Sequence, residues 1–415
     1  MADILPFPTV AAAPTPAASI EGVPTSWGDR VRKLTRYLRL YGPSRTWAKV
    51  RAKRHLSRTF ETLPPRSRPS QARQSVALLG CGNYAHGTLV HYLRRGFGNV
   101  LAGTMDVDAD RAASLAVDHR APFHTTEAAE LLGLPDLTMA VIASHHSAHT
   151  PQAVAAMKRG LDVYIEKPHV VNHVQLAELL ETFDHTGQRV FLGFNRPGSR
   201  LGREAIAALQ GEDGPAMFSW FIAGHRIAAD HWYMNPGEGG RVLGNLCHWT
   251  DFCLRAVGDE AFPVRIVPTR DAQRDINCAV ALHFADGSIA TLTFSEKDPP
   301  LDGVRETLVA QRGRVLLRIE DFDRLVIDRG ARRRIVRPFF RDHGHRANIE
   351  RAYRRAHDLP GAEPYDRVAV RRHLRQTALL FLAVRDALEA GTERLVEDDR
   401  TIGRERMSPS RPAAA

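Results

Sequence analysis

The chain of 415 residues is long enough for two or three domains, and its 43% hydrophobic residues can fill their cores, which excludes a disordered or fibrous class. Its net charge of +10 invites a nucleic-acid partner, yet residues 29–73 alone hold 14 Lys and Arg against Asp29 and Glu61, leaving the rest of the chain slightly acidic. The basicity is therefore local, and without a recognised reading module around it no nucleic-acid partner is expected.

In chain order, MADILPFPTVAAAPTPAASIEG has no basic n-region, and prolines interrupt its apolar stretches. Neither a signal peptide nor a membrane anchor is predicted. No later apolar run approaches the ~18 residues of a membrane span, so stable membrane insertion is not expected. Residues 1–28 are expected to be disordered and 29–74 to form a basic helical arm and linker.

Within the arm, Val31, Leu34, Leu38 and Tyr41 recur at helical spacing, Gly42-Pro43 stop the pattern, and Ser44 can cap a second helix with Trp47 and Val50. An arm docked on this chain or on a twin subunit is favoured over an interfacial helix on anionic lipid. LPPRSRPSQARQ (63–74) reads as a linker.

From Ser75 the chain alternates apolar, strand-like runs with helical ones: Ser75–Leu79, Tyr84–Arg95, Asn99–Met105, TTEAAELLG, LTMAVIAS, AHTPQAVAAMKRG, DVYIEKP and RVFLGFN. Such alternation predicts an α/β fold, a parallel sheet covered on both faces, over 75–194. Gly80, Gly82 and Ala85 form a GxGxxA turn between the first strand and helix, with Asn83 and Tyr84 inside it. The first glycine permits the turn, the second lets backbone approach a diphosphate, and alanine keeps the helix near the sheet. Asp106 ends the next strand, where a carboxylate accepts hydrogen bonds from a ribose diol. With Asp108 close and no base until Arg111, NAD is expected over NADP.

Four cysteines, Cys81, Cys247, Cys253 and Cys278, show no CxxC pair and predict reduced thiols in a cytoplasmic protein. After Asn195 the runs PAMFSWFIAG, CAVALHFADGSIATLTFSE and GRVLLRIEDFDRLVIDRG predict a second, α+β domain over 195–395 built on an open, mainly antiparallel sheet. Arg371–Ala390 reads as an amphipathic helix and 396–415 as a disordered tail.

IASHHSAHTPQAVAAMKRGLDVYIEKPHVV, followed by VFLGFNRP and GGRVLGNLCHWTDF, resembles the Gfo/Idh/MocA family of oxidoreductases over about residues 75–390. The resemblance implies an N-terminal Rossmann domain, a C-terminal sheet that serves for homo-oligomerisation, and NAD(P)-dependent hydride transfer on a sugar, sugar nucleotide or cyclitol. It places Lys167 of Glu166-Lys167-Pro168 beside the nicotinamide and the substrate hydroxyl, commonly with a cis bond before the proline. A lysine there stabilises a developing alkoxide. His248 matches the family's histidine and is the expected general base, with Asp251 in reach to orient its ring.

Ser144, His145, His146 and His149 are expected along the cofactor, and Asn195 and Arg196 near the substrate. Their HHxxH spacing is zinc-like, but no second cluster completes a site, so no metal is expected. Arg226, His231 and Trp232 suit a carbohydrate ring with an acidic group or, equally, a packed interdomain loop. Many relatives carry an acid four residues before the histidine, where this chain has Gly244, with Asn245 beside it as a hydroxyl partner unable to take a proton. That departure leaves a non-catalytic dinucleotide sensor or partner subunit as the alternative, and transient use of NAD around an elimination or hydrolysis as a variant within the enzyme class.

Overall fold

The computed structural model describes residues 26–69, 73–225, 227, 230–270, 277–298 and 304–398. The expected disorder of 1–25 and 399–415, and the expected substrate contact of Arg226, lie outside the described residues.

The arm is one helical run, α1 (Trp27–Leu56), broken at Gly42. Gly42 has φ 77°, and a Cβ there would lie 2.7 Å from the Phe340 ring, so glycine is required both for the bend and for the contact. The expected pair of helices is thus a kinked continuation: Pro43 opens the second segment, where its missing N–H costs little.

Next come β1 (Val76–Leu79), a π-helical turn (Ala85–Leu89), α2 (Val90–Phe97), β2 (Leu101–Met105), α3 (Ala109–His119), β3 (Phe123–Thr125) and α4 (Ala128–Leu132). β4 (Met139–Ile142), α5 (His146–Met157), β5 (Asp162–Ile165), α6 (His173–Thr186) and β6 (Val190–Leu192) complete the unit. The six strands form a parallel sheet in the order β3-β2-β1-β4-β5-β6. Both faces are covered, as the unbroken burial of β1, β2, β4 and β5 requires. The chain order reverses between β1 and β4, and the crevice at that switch point is where open α/β sheets bind ligands.

The second unit contains α7 (Arg200–Gln210), β7 (Ala216–His225), α8 (Cys247–Val257), β8 (Val264–Arg270), β9 (Cys278–His283) and β10 (Ile289–Asp298). It continues with β11 (Arg305–Arg312), β12 (Val315–Glu320), β13 (Arg324–Arg329), β14 (Arg332–Val336), α9 (His345–Ala356), α10 (Arg367–Ala390) and β15 (Arg394–Val396). Nine strands make one sheet, antiparallel except for β7 and β10. One face packs on α7, α8 and α10; the other leaves Met217, Phe221 and Val309 exposed.

The C-terminal chain also builds the first unit. Ile349, Ala352 and Tyr353 of α9 join the core beneath α2, and Leu374, Ala378 and Phe381 of α10 join the core beside α6. The expected tail starts too early at 396: Val396 closes β15, and Asp398 accepts a hydrogen bond from Gln376 at 2.8 Å.

The second half of α1 is anchored through side chains. Arg45 bonds Gly87 O and, at 2.6 Å, Thr88 Oγ1; Ala52 fills the space a side chain at 87 would need; His55 Nε2 meets Cys81 O at 2.6 Å. His55 stacks on His86, and His86 meets His119 edge-on, beside Asp118, Arg51 and Arg94. Burial lowers His55 to about 4, against the opposing bond to Cys81 O, and lowers His119 to about 2.

A histidine neutral in the fold and protonated when released stabilises fully above the ordinary value of ~6.5, and progressively less as pH falls towards its folded value. The protection of amides 44–56 against hydrogen exchange, relative to their intrinsic rates at each pH, is accordingly expected to fall between pH 6.5 and 4, and His55→Gln to flatten that dependence.

Candidate active site

At the switch point, Gly80 takes φ 91°, and a Cβ on it would lie 2.5 Å from the backbone of Ala143 and Ser144. Only glycine lets the loop after β1 touch the loop after β4. Above Gly82 there is open space. Asp106 accepts from Cys81 N at 2.7 Å and Asp108 N at 3.0 Å, and burial raises its pKa. It therefore fixes the shape of the glycine turn, while Asp108 caps α3 and pairs with Arg111.

This crevice fits a dinucleotide. Gly82, Asn83, Asp106, Ser144 and His145 are all partly open, and Asn83 Oδ1 is buried without a partner. Cys81 N–H is committed to Asp106, so a diphosphate would be held by the amides that follow it.

A cavity of about 420 Å³ continues from the crevice. Tyr84, Ser144, His146, His149, Glu166 and Lys167 line its Rossmann side, and Asn195, Arg196, Trp232, Tyr233 and His248 the opposite side. Lys167, which precedes a cis Pro168, donates to Gly244 O at 2.6 Å. Burial works against its charge, but Tyr233, Cys247 and Glu166 outweigh that and hold the ammonium above the ordinary lysine value. Glu166 accepts from Tyr84 and Tyr164 hydroxyls at 2.9 and 3.1 Å, and burial raises its pKa.

His248 sits in the first turn of α8. Burial, then Arg196 and Lys167, keep it neutral, and its Nδ1 has no partner. A neutral ring can accept a proton, although the burial and the cations that keep it neutral also make its protonated form costly. The expected orientation by Asp251 is corrected: that carboxylate faces α10 and binds Arg255, His373 and Thr377 instead.

Other expected contacts also make structural bonds. His149 bridges the carbonyls of Pro168 and Ser144, and His146 Nδ1 meets Glu238 O. Arg196 is committed to Glu306 at 2.6 Å, beneath Trp249. Asn195 donates to His343 O, leaving its Oδ1 unpartnered. His231 caps the turn that presents Trp232, whose ring stacks on His145 at 4.4 Å. Asn245 does not line the cavity, although its Oδ1 is buried and unpartnered.

Residues 74–194 match the family described as "Oxidoreductase family, NAD-binding Rossmann fold" (GFO_IDH_MocA). The Rossmann unit is thus similar to the Gfo/Idh/MocA family. Oxidoreductase P35 of Formosa agariphila is 26% identical over 126 residues, a match spanning 30% of this chain and 39% of that protein.

Similar solved structures include UDP-N-acetylglucosamine 3-dehydrogenase GnnA of Acidithiobacillus ferrooxidans, with TM-score 0.61 and 20% identity over 76% of this chain and 97% of that one. GenD2 from gentamicin A biosynthesis, in complex with NAD, gives 0.63 and 19% over 80% and 99%. An NAD-binding oxidoreductase from Klebsiella pneumoniae gives 0.63 and 16% over 78% and 99%. At these identities the likeness shows the shared fold across both units.

Against the Gfo/Idh/MocA pattern, the departure at Gly244 has a structural reason. A Cβ at 244 would lie 2.5 Å from the Tyr233 ring and 3.0 Å from His146, so the room for a carboxylate is already filled. Tyr233 was not legible as a site residue, because nothing in WYMNP fixes which aromatic turns inward. Glu238, also missed, accepts from Ser147 N and Oγ at 3.0 and 2.7 Å and clamps the Trp232-Tyr233 turn onto the start of α5.

Gly244→Asp is expected to destabilise by about 1–3 kcal/mol through overpacking. The double variant with Tyr233→Ala should recover most of that loss in thermal denaturation.

Proposed function

We propose that the protein is an NAD(P)-dependent oxidoreductase acting on a secondary alcohol of a sugar, sugar nucleotide or cyclitol, with NAD favoured over NADP. The observation that carries this reading is that Lys167 and His248, from different units, line one cavity continuous with the glycine-turn crevice. The dinucleotide would supply hydride transfer. The Lys167 ammonium stabilises negative charge on the alcohol oxygen, and neutral His248 accepts the hydroxyl proton in oxidation or returns it in reduction. Asp106 favours NAD because a second negative charge beside its carboxylate is repelled.

The carbohydrate assignment is by analogy with the family and with a relative named for a sugar nucleotide. The exposed face of the nine-stranded sheet, with Met217 and Phe221 more than half exposed, suits a second copy of the chain. The non-catalytic alternative has Gly244 in its favour, but Lys167 keeps its charge without an acid there.

NADH absorbance with a panel of UDP-sugars, sugar phosphates and inositols tests the reading. Turnover lost in Lys167→Ala supports it; calorimetric binding of dinucleotide with no turnover of any panel member favours the sensor.

A further inference from the structure

We infer that the inner face of the first half of α1 is part of the substrate site, and that it recognises an anionic substituent on the sugar. This deepens the function proposed above and rests on it.

Arg36, Tyr37, Leu40 and Tyr41 line the same cavity as Lys167 and His248. Their spacing puts them on one side of a helix, and each is less exposed than Val31, Leu34, Leu38 and Arg39 on the other side. Two contacts hold this half over the cavity. Leu40 O accepts from Arg341 N at 2.7 Å, and the bend at Gly42 rests on Phe340. The second half, bolted to the glycine turn by Arg45 and His55, sets where the first half goes. The arm is therefore a wall of the site.

The wall has a definite chemistry. Tyr37 and Tyr41 pack with ring centroids 4.9 Å apart, an aromatic platform on which the apolar face of a sugar ring can lie. Arg36, Lys167, Arg196 and Arg341 line the cavity against Glu166 and Glu306, so cations outnumber carboxylates in the lining. Glu166 accepts from two tyrosine hydroxyls, Arg196 is paired with Glu306, and Arg341 is paired with Asp323. Electrostatically this lining attracts anions. A sugar whose phosphate, diphosphate or carboxylate reaches the arm, while its carbinol meets Lys167, satisfies all of these groups.

The test uses the full-length chain with NAD and two matched pairs of probes: UDP-N-acetylglucosamine against N-acetylglucosamine, and myo-inositol phosphate against myo-inositol. Wild type should prefer the charged member of a pair. Arg36→Gln and Tyr37→Ala should raise KM for it by about tenfold or more while leaving kcat and dinucleotide affinity near wild type. Leu34→Ser and Leu38→Ser, on the outer side of the same helix, should change nothing.

Hydrogen exchange over 44–56 confirms that the arm stays seated in each variant. KM values and charge preference unchanged in seated Arg36→Gln and Tyr37→Ala overturn the inference. Dinucleotide binding without turnover or binding of any probe overturns the proposed function, and this inference with it.

Discussion

Replacing Lys167 by methionine is expected to lower kcat by about a thousandfold while changing dinucleotide affinity by no more than about threefold. Methionine keeps the apolar stem and removes the ammonium, so the loss reads the charge. Burial opposes that charge and Glu166 beside it favours it, and the balance raises the lysine's pKa above its ordinary value. In the proposed reaction its contribution is electrostatic, greatest when the alcohol oxygen is most negative.

In the proposed reaction His248 takes the complementary part, its ring kept neutral by burial and by the cations around it. Steady-state kinetics and calorimetry on the same preparation check the expectation. Equal losses in kcat and in dinucleotide affinity would assign Lys167 to binding. Arginine at 167 should restore little, since a broad guanidinium cannot keep both the bond to Gly244 O and an approach to the substrate.

Much of this architecture was legible from local sequence. Alternating apolar runs, a glycine pair at a strand end and an acid closing the next strand are local signals, and they located β1, β2, β4, β5 and the turn between β1 and α2. Lys167 and His248 were found through resemblance, which carries spatial information that periodicity lacks. What escaped was set by tertiary contact. β11 and β14 are rich in arginine, RETLVAQR and RRRIV, and read as surface until paired in a sheet. Asp251 lies three residues from His248 on one helix, yet it turns to Arg255 and His373, because α10 packs there and sequence spacing does not say so.

The arm shows the same limit: its helical spacing predicted an arm docked on this chain or on a twin subunit, but not that the bend at Gly42 brings Tyr37 and Tyr41 to the cavity wall. Deleting residues 1–70 would take away a wall of the proposed site.

Glu306→Ala should be the most destabilising single change in the site, costing about 3–5 kcal/mol. The Glu306 side chain is fully buried, and its Oε2 accepts from Arg196 Nε at 2.6 Å and Trp249 Nε1 at 2.7 Å, with His343 Nε2 3.5 Å from Oε1. Alanine would leave a guanidinium and an indole N–H buried without an acceptor, and the guanidinium lies over the Trp249 ring in the core of the second unit. The cost is that of stranding these donors, which is larger than the net worth of the intact pair. Glu306→Gln keeps one acceptor oxygen and should lose less. Arg196→Met combined with Glu306→Leu removes both charges and should recover most of the stability, while emptying the cavity of the polar groups that orient a substrate. Denaturation midpoints for the three variants, read beside their turnover, separate the two roles: if the double variant regains the midpoint but not activity, the ion pair is kept for the site it shapes and not for the fold it sits in.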